Sequence, residues 1–417
     1  MKHLTTSKVA LGLITRWLND PSPILRFLNN ARQHGQAIDR FIVACSHGID
    51  QQVLARLRRE VQVDVVLPHG DAGLNGHLLA FGLSRDEVEG LLDVPSWSRH
   101  REVPYGAYRN AVLIHALLTG MDYLLFFDTD IQPRVLTAHD AGEPSWHEVD
   151  FVGRHLTHLT RPNVAATSSD YSGYYIIPPM NFDGLEDLLV GVGKDLALEY
   201  LAKSDEHGCL NLGPQQPGLP APTDKVLGGN LGLSLDAPRR LAPFFSTTYE
   251  TGQQCILGRG EDTLLGQAVR QSEGLALDID LRVFHDTFND FPHLPDVRRR
   301  EVRDRFHRAC LGWIGRNPFL TWYQAQAGLL DADFDTVISQ QRESLVVGGA
   351  RAAQFLDDPR FARLSDALAD SLAALPDMIA RYQRLMESWS VLIGHLVPDE
   401  VQQAPAAEQD DKVPLVA

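Results

Sequence analysis

The chain is short of three things that whole protein classes depend on. Its 417 residues hold four cysteines (Cys45, Cys209, Cys255 and Cys310), far apart and with no CxxC spacing. That scarcity excludes a disulfide framework or a cysteine zinc site, and the thiols read as buried or incidental. No apolar run approaches the ~18 residues of a membrane-spanning helix. VALGLITRWL, near the start, is too short, is interrupted by Arg16 and lacks a small-residue cleavage site. These absences make a reducing, cytoplasmic location the simplest expectation. Basic residues are also few: 38 Lys and Arg against 54 Asp and Glu give a formal net charge of −16. Such a surface repels nucleic acid, whereas a nucleotide needs only one pocket or metal ion that reverses the local field.

What is present has a clear rhythm. KVALGLIT, DRFIVACSHG and VDVVLP read as strands, with SPILRFLNNARQHG and DQQVLARLRREV as helices between them. Strands and helices alternating through short connections predict a parallel, doubly wound sheet, with its ligand site beyond the carboxyl ends of the strands. Residues 71–104 break the pattern as an insertion of mixed character. YGAYRNAVLIHALLTG then predicts a helix and MDYLLFFDTD the next strand. Later, VDFVGRHLTHL reads as helix and NVAATSSDYSGYYIIPP as one or two strands. DEHGCLNLGPQQPGLPAPTD, dense in Gly and Pro, reads as a loop of the lid or binding type.

From about residue 296 helical patterns dominate: DVRRREVRDRFHRACLGWI, DTVISQQRESLVVGGARAAQFL and ALPDMIARYQRLMESWSVLIGHL. The expected organisation is an α/β domain over 1–295, a helical region over 296–398 and a disordered tail over 399–417. The RRREVRDR run fits a solvated helix face or a grip on an acidic acceptor. The apolar stripe of Leu385, Trp389 and Leu392 must pack on something, a homodimer partner being one option.

Three constellations carry chemistry. In LLFFDTDIQP, four apolar residues run into Asp128 and Asp130, which point the same way if the strand continues. Two carboxylates so placed suit Mg²⁺ or Mn²⁺ shared with a substrate phosphate; they also suit a strand-end turn in which they cap backbone amides. Gly228-Gly229-Asn230 lets the backbone approach a ligand closely. Glu261 and Asp262 open a helix, where carboxylates are stabilised by unpaired amides, so a plain helix cap is equally readable there. His285 ends a strand-like run, LDIDLRVF, and is either a metal ligand or an ordinary surface or core histidine.

Taken in order, YRN…FFDTD, GGNLG, GED and VFHD resemble the GT-A glycosyltransferases, most closely the large family-2 type group, over roughly residues 8–290. The block YRNAVLIHALLTGMDYLLFFDTD carries most of the likeness. The resemblance implies a Rossmann-like, mostly parallel sheet flanked by helices, with the helical C-terminal region as an addition. It implies transfer of a sugar, a hexose in the first instance, from a UDP- or GDP-sugar to a hydroxyl acceptor, with a divalent metal. Carried over by position, Asp130, Asp128 and His285 hold the metal, and Asp128 also approaches the donor ribose. Arg109 lies near the nucleotide. Asp262 is the general base of inverting members and Glu261 its neighbour on the acceptor side. Gly229 and Asn230 line the donor sugar or the acceptor. Thr15, Ser46 and Asp50, at the ends of the first two strands, are candidates for base and ribose contacts. A retaining enzyme of the mannosylglycerate-synthase type is the alternative, because those proteins also pair a late histidine with C-terminal helices. A sugar nucleotidyltransferase fits less well: GLITRWLND stands where its glycine-rich basic loop belongs. A non-catalytic sugar-binding protein on the same frame is a further rival.

Overall fold

The computed structural model describes residues 7–67, 73–93, 105–138, 144–194, 197–202, 210–252 and 254–397. The expected tail over 399–417 therefore lies outside the described residues, as does Cys209. Cys45 and Cys310 are free, buried thiols.

The opening rhythm folds as read: β1 (Val9–Leu18), α1 (Ser22–Gln33), β2 (Arg40–Ile49), α2 (Gln51–Leu57) and β3 (Gln62–Val66). The segment read as an insertion supplies α3 (Leu74–Ala80) and α4 (Arg85–Leu92), with 94–104 outside the described residues. Ser84 and Glu87 form a reciprocal capping box at the start of α4. Then come α5 (Tyr105–Leu118) and β4 (Tyr123–Phe127), followed by β5 (Ile131–Gln132) and a hairpin of β6 (Arg134–Ala138) and β7 (Pro144–Glu148). Next are α6 (Phe151–Leu159), β8 (Val164–Ser168), β9 (Tyr171–Tyr174), α7 (Leu185–Gly191) and α8 (Ala197–Ala202). The Gly/Pro-rich stretch is tethered by two short strands, β10 (Leu210–Asn211) and β11 (Ala221–Pro222). β12 (Asn230–Ser234), a hairpin of β13 (Thr248–Thr251) and β14 (Gln254–Leu257), α9 (Glu261–Gln271), β15 (Leu275–Asp278) and β16 (Val283–His285) follow. Four helices come after them: α10 (Arg300–Gln326), α11 (Phe334–Leu356), α12 (Leu364–Ala373) and α13 (Leu375–Leu396).

Among the described residues the main sheet has eight strands in the order β11-β15-β8-β12-β4-β1-β2-β3. β1, β2, β3 and β4 are parallel, as are β8 and β15, while β12 runs antiparallel between β4 and β8. A mostly parallel sheet must be covered on both faces, and the side chains of β4 show how. Leu124 and Phe126 enter one core with α4, α5 and α13, whereas Leu125 and Phe127 enter the other with α1 and α6. Gly12 on β1 makes this possible, since a Cβ there would meet Phe126 and Val112 at 3.0 Å. A second sheet, β10-β9-β16-β5, stands at the carboxyl end of β4.

The helical region is joined to the rest by a third core that includes α7 and β13. α10 runs on past the quoted stretch and through Pro318, with Phe319 and Thr321 buried beyond it. The Leu385, Trp389 and Leu392 stripe is buried within the chain itself, each residue no more than 4% exposed. Trp389 and Leu392 reach the core beneath α4, and Arg381 clasps Asp93 at 2.7 Å. The stripe read as a possible dimer surface is thus already covered, which removes the reason for expecting a partner there. No described helix is long and apolar enough to cross a membrane.

Candidate functional site

The site grows out of the end of β4. Phe127 is fully buried, and the next residue, Asp128, leaves the sheet; a turn closed by Ile131 N–H donating to Asp128 O (3.1 Å) swings the chain into β5. β5 pairs antiparallel with β16 so that Ile131 faces His285. Two segments more than 150 residues apart thereby meet: Asp130 Oδ2 lies 3.1 Å from His285 Nε2.

On its other side the Thr287 hydroxyl donates to Tyr174 O at 2.8 Å and lies 3.3 Å from Nδ1, where it can only accept. Nε2 meets the Asp130 carboxylate through a ring hydrogen, and a bound cation would take the place of that hydrogen. Ligands at about 2.1 Å around an octahedral Mg²⁺-like ion are separated by about 3 Å along an edge, which this pair matches. Burial by itself would raise the Asp130 carboxyl, but His285 and Arg305, whose Nη2 is 3.8 Å away, hold it below its ordinary value.

Asp128 has a different neighbour. Its Oδ1 lies 3.3 Å from Arg109 Nη2. Among the described residues no three His, Cys, Asp or Glu side chains converge as a metal-holding group. Of the expected metal residues Asp128, Asp130 and His285, the structure brings the last two into contact, while Asp128 meets the Arg109 guanidinium.

Arg109 is a buried hub. Its Nε reaches Glu261 Oε1 at 3.3 Å, its Nη1 donates to Gly228 O at 2.8 Å, and its carbon lies 5.1 Å from the Phe126 ring centroid. With 3% of its surface exposed, it holds the two carboxylates and the Gly228 carbonyl from behind the site. At Glu261, burial, with Asp262 alongside, raises the carboxyl, and Arg109 opposes the shift. It anchors the network and does not line an open acceptor surface.

The glycines are explained by proximity. A Cβ on Gly228 would meet Arg109 Nη2 at 2.5 Å, and one on Gly229 would meet Asp128 Oδ2 at 2.6 Å. Gly228 N–H donates to Asp262 Oδ2 at 2.9 Å and Gly229 N–H to Tyr171 Oη at 3.2 Å. Asp262 Oδ1 also accepts from Thr263 N–H at 2.8 Å, which fixes the half-buried carboxylate and leaves lone pairs for another donor.

Asn230 departs from expectation. Its Nδ2 donates to Ser169 O and Leu281 O, and its Oδ1 meets His155 Nε2 at 3.1 Å, all fully buried. It knots β12 into the sheet. Asp50 caps α2, accepting from Gln52 N–H at 2.7 Å. Thr15 and Ser46 do lie at the ends of β1 and β2, with Thr15 donating to Trp17 O and Ser46 bonded to His47. Beside them stands an aromatic pair that sequence reasoning passed over. Trp17, 56% exposed, has its ring 5.5 Å from that of His47.

A group of cations was also missed. Arg305 and Arg316 lie eleven residues apart on α10, three turns along one face. Arg316 is 6% exposed; it donates to Asn317 Oδ1 at 3.0 Å, and its Nε has no hydrogen-bond partner. Burial pulls its guanidinium down to about 10 against the opposing charge of Asp262. Lys194, whose Nζ lies 5.1 Å from the Trp313 ring centroid, is pulled down to about 8 by burial and by Arg316, with Asp262 opposing. In the RRREVRDR run, Arg299, Arg300 and Arg303 pair with carboxylates while Arg305 turns toward Asp130. A partner as distant in the chain as Asp130 leaves no local mark in a sequence.

No protein-family model matches the chain, and a comparison with curated proteins finds no match. Among solved structures it is similar to glucosyl-3-phosphoglycerate synthase from Mycobacterium tuberculosis in complex with Mn²⁺, UDP and phosphoglyceric acid. The identity is 15%, the TM-score 0.36, and the match covers 79% of this chain and 81% of that one. The same enzyme with Mn²⁺ and UDP-glucose gives 15% identity and a TM-score of 0.34, covering 79% and 82%. A structure described as a mycobacterial protein gives 15% and 0.35, covering 75% of each chain. Similarity this distant transfers no residue role; the site stands on its own geometry.

Proposed function

We propose that this protein is a metal-dependent glycosyltransferase that moves a sugar from a UDP- or GDP-sugar to a hydroxyl of an acceptor. The observation that carries the reading is the Asp130–His285 pair, imidazole nitrogen facing carboxylate oxygen at 3.1 Å, at the carboxyl end of β4. Asp130 and His285 would hold a divalent ion, with water and donor oxygens completing its shell. When bound, such an ion supplies positive charge to a departing diphosphate. The protein's own residues do the rest. Arg305 adds a cation on the Asp130 side. Asp262, held by two backbone amides, is the base that takes the acceptor's proton, and attack from its side inverts the anomeric centre. A retaining outcome is the alternative, and the anomer of the product read by NMR decides between them.

Lys194 and Arg316, near Asp262 and without a bonded carboxylate of their own among the described residues, support an acceptor that carries an acidic group. Buried cations are stable when a partner offsets their charge. The first test is calorimetric titration of UDP and GDP with and without Mn²⁺. Metal-dependent binding of one nucleotide, lost in Asp130→Ala, is the expected result; no binding under any condition refutes the reading.

A further inference from the structure

Helix α1 and the β6–β7 hairpin enclose a cleft of about 490 Å³ that the site above does not use. Arg26, Asn29 and Gln33 line it from α1, Gln132 from β5, and Arg134 and Glu148 from the hairpin. Arg134 and Glu148 are directly opposite in the antiparallel ladder, where opposite charges ordinarily pair. Here they do not. The Arg134 guanidinium carbon sits 3.7 Å from the Trp146 ring centroid instead, and its Nε is buried with no hydrogen-bond partner. A guanidinium held by its face keeps its N–H edge free for an oxyanion.

Arg26 adds a second cation. Among the described residues it makes no hydrogen bond or ion pair, while its neighbour Arg32 pairs with Glu60 at 2.9 Å. Burial and the nearby charge of Arg26 together lower the Arg134 guanidinium, with Glu148 opposing. In a chain with a net charge of −16, two arginines that form no ion pair among the described residues, in one cleft, mark a place for an anion. The other lining groups are amides and one carboxylate, which donate to and accept from hydroxyls.

We propose that this cleft is a second binding site, for a small phosphorylated sugar or polyol. Its phosphate lies on Arg26 and Arg134, and its hydroxyls on Asn29, Gln33, Gln132 and Glu148. The volume falls within the range of about 300–1,000 Å³ typical of small-molecule sites. Gln132 pairs with Phe284 one rung from the Ile131–His285 pair, so a ligand here bears on the strand that carries the catalytic centre.

The test is calorimetry on the full chain with glucose 6-phosphate, inorganic phosphate and gluconate, using wild type, Arg26→Ala, Arg134→Lys and Lys194→Ala. Glucose 6-phosphate is expected to bind most tightly. Arg26→Ala and Arg134→Lys each weaken it tenfold or more, while Lys194→Ala leaves it unchanged. Equal binding of inorganic phosphate overturns the role given to the hydroxyls, and equal binding of gluconate overturns the choice of phosphate. Loss in Lys194→Ala with retention in Arg26→Ala moves the ligand to the acceptor side and overturns the site, as does no binding at all. UDP and GDP titrations on Arg26→Ala and Arg134→Lys are expected to match wild type, so this proposal and the glycosyltransferase reading fail separately.

Discussion

Asp128 and Asp130 leave the same strand end one residue apart, yet they belong to two different regions. Asp128, its side chain 37% exposed, leans on the buried Arg109, whose other donors go to Glu261 and the Gly228 carbonyl, so an ion network stands behind it. Asp130 faces His285 at a quarter-exposed position, and the nearest guanidinium is 3.8 Å away. One carboxylate meets a guanidinium and the other an imidazole, so the spacing that places both at one strand end does not give both the same partner.

Breaking Asp130 has the largest expected effect on function. Asp130→Ala should abolish metal-dependent nucleotide binding while the melting temperature stays near wild type, which calorimetry and a thermal melt check together. Asp262→Asn should keep nucleotide binding and lower kcat by roughly 10²–10⁴-fold, the usual contribution of a general base. Steady-state kinetics beside a binding titration separates the two. Arg109→Ala should act on stability first: it leaves Glu261 buried without a partner, a change that costs about 3–5 kcal/mol, read from the urea midpoint. If Arg109→Ala instead spared stability and weakened only nucleotide affinity, the division between the two regions would collapse.

The smallest effect concerns His155, in the buried knot around Asn230. Asn230 Oδ1 can only accept, so His155 Nε2 carries the hydrogen and Nδ1 accepts from Thr167 at 2.7 Å. Burial pulls this imidazole down to about 3, with Asn230 opposing and His158 adding a small push downward. The folded state therefore favours the neutral ring, and the unfolded chain binds the extra proton at higher pH. Stability from this group is fully present above about pH 6.5 and is lost as pH falls toward 3, by at most about 1.4 kcal/mol per pH unit. Urea titrations at pH 7 and 5 should show the loss, and His155→Gln should flatten it.

Much of the α/β frame was legible because β1 to β4 are buried runs separated by helical periodicity, a local signal. β12 was not. NLGLS becomes a central antiparallel strand only by pairing with β4 and β8, far away in the chain. The hairpin of β6 and β7 escaped notice for the same reason, and α10 continues through Pro318 because the third core covers that turn. At the site, the meeting of Asp130 and His285 was foreshadowed by motif order. The fate of Arg109 was not, because the YRN triplet gives no sign that a glutamate 152 residues later consumes its guanidinium. The two segments without a counterpart in the resemblance, 71–104 and the C-terminal helices, explain each other. α4 and α13 pack so closely that a Cβ on Gly90 would meet Ser388 Oγ at 2.2 Å.

That contact has a temporal side. Protein synthesis is vectorial, and the face of the sheet sheltered by Trp389 and Leu392 is made from residues translated far earlier, Leu78 and Leu91 among them. At about 5–20 residues per second, roughly 300 intervening residues take some 15–60 s to translate. Through that interval the nascent chain carries an apolar surface whose cover does not yet exist, which makes it a client for holding chaperones at the ribosome.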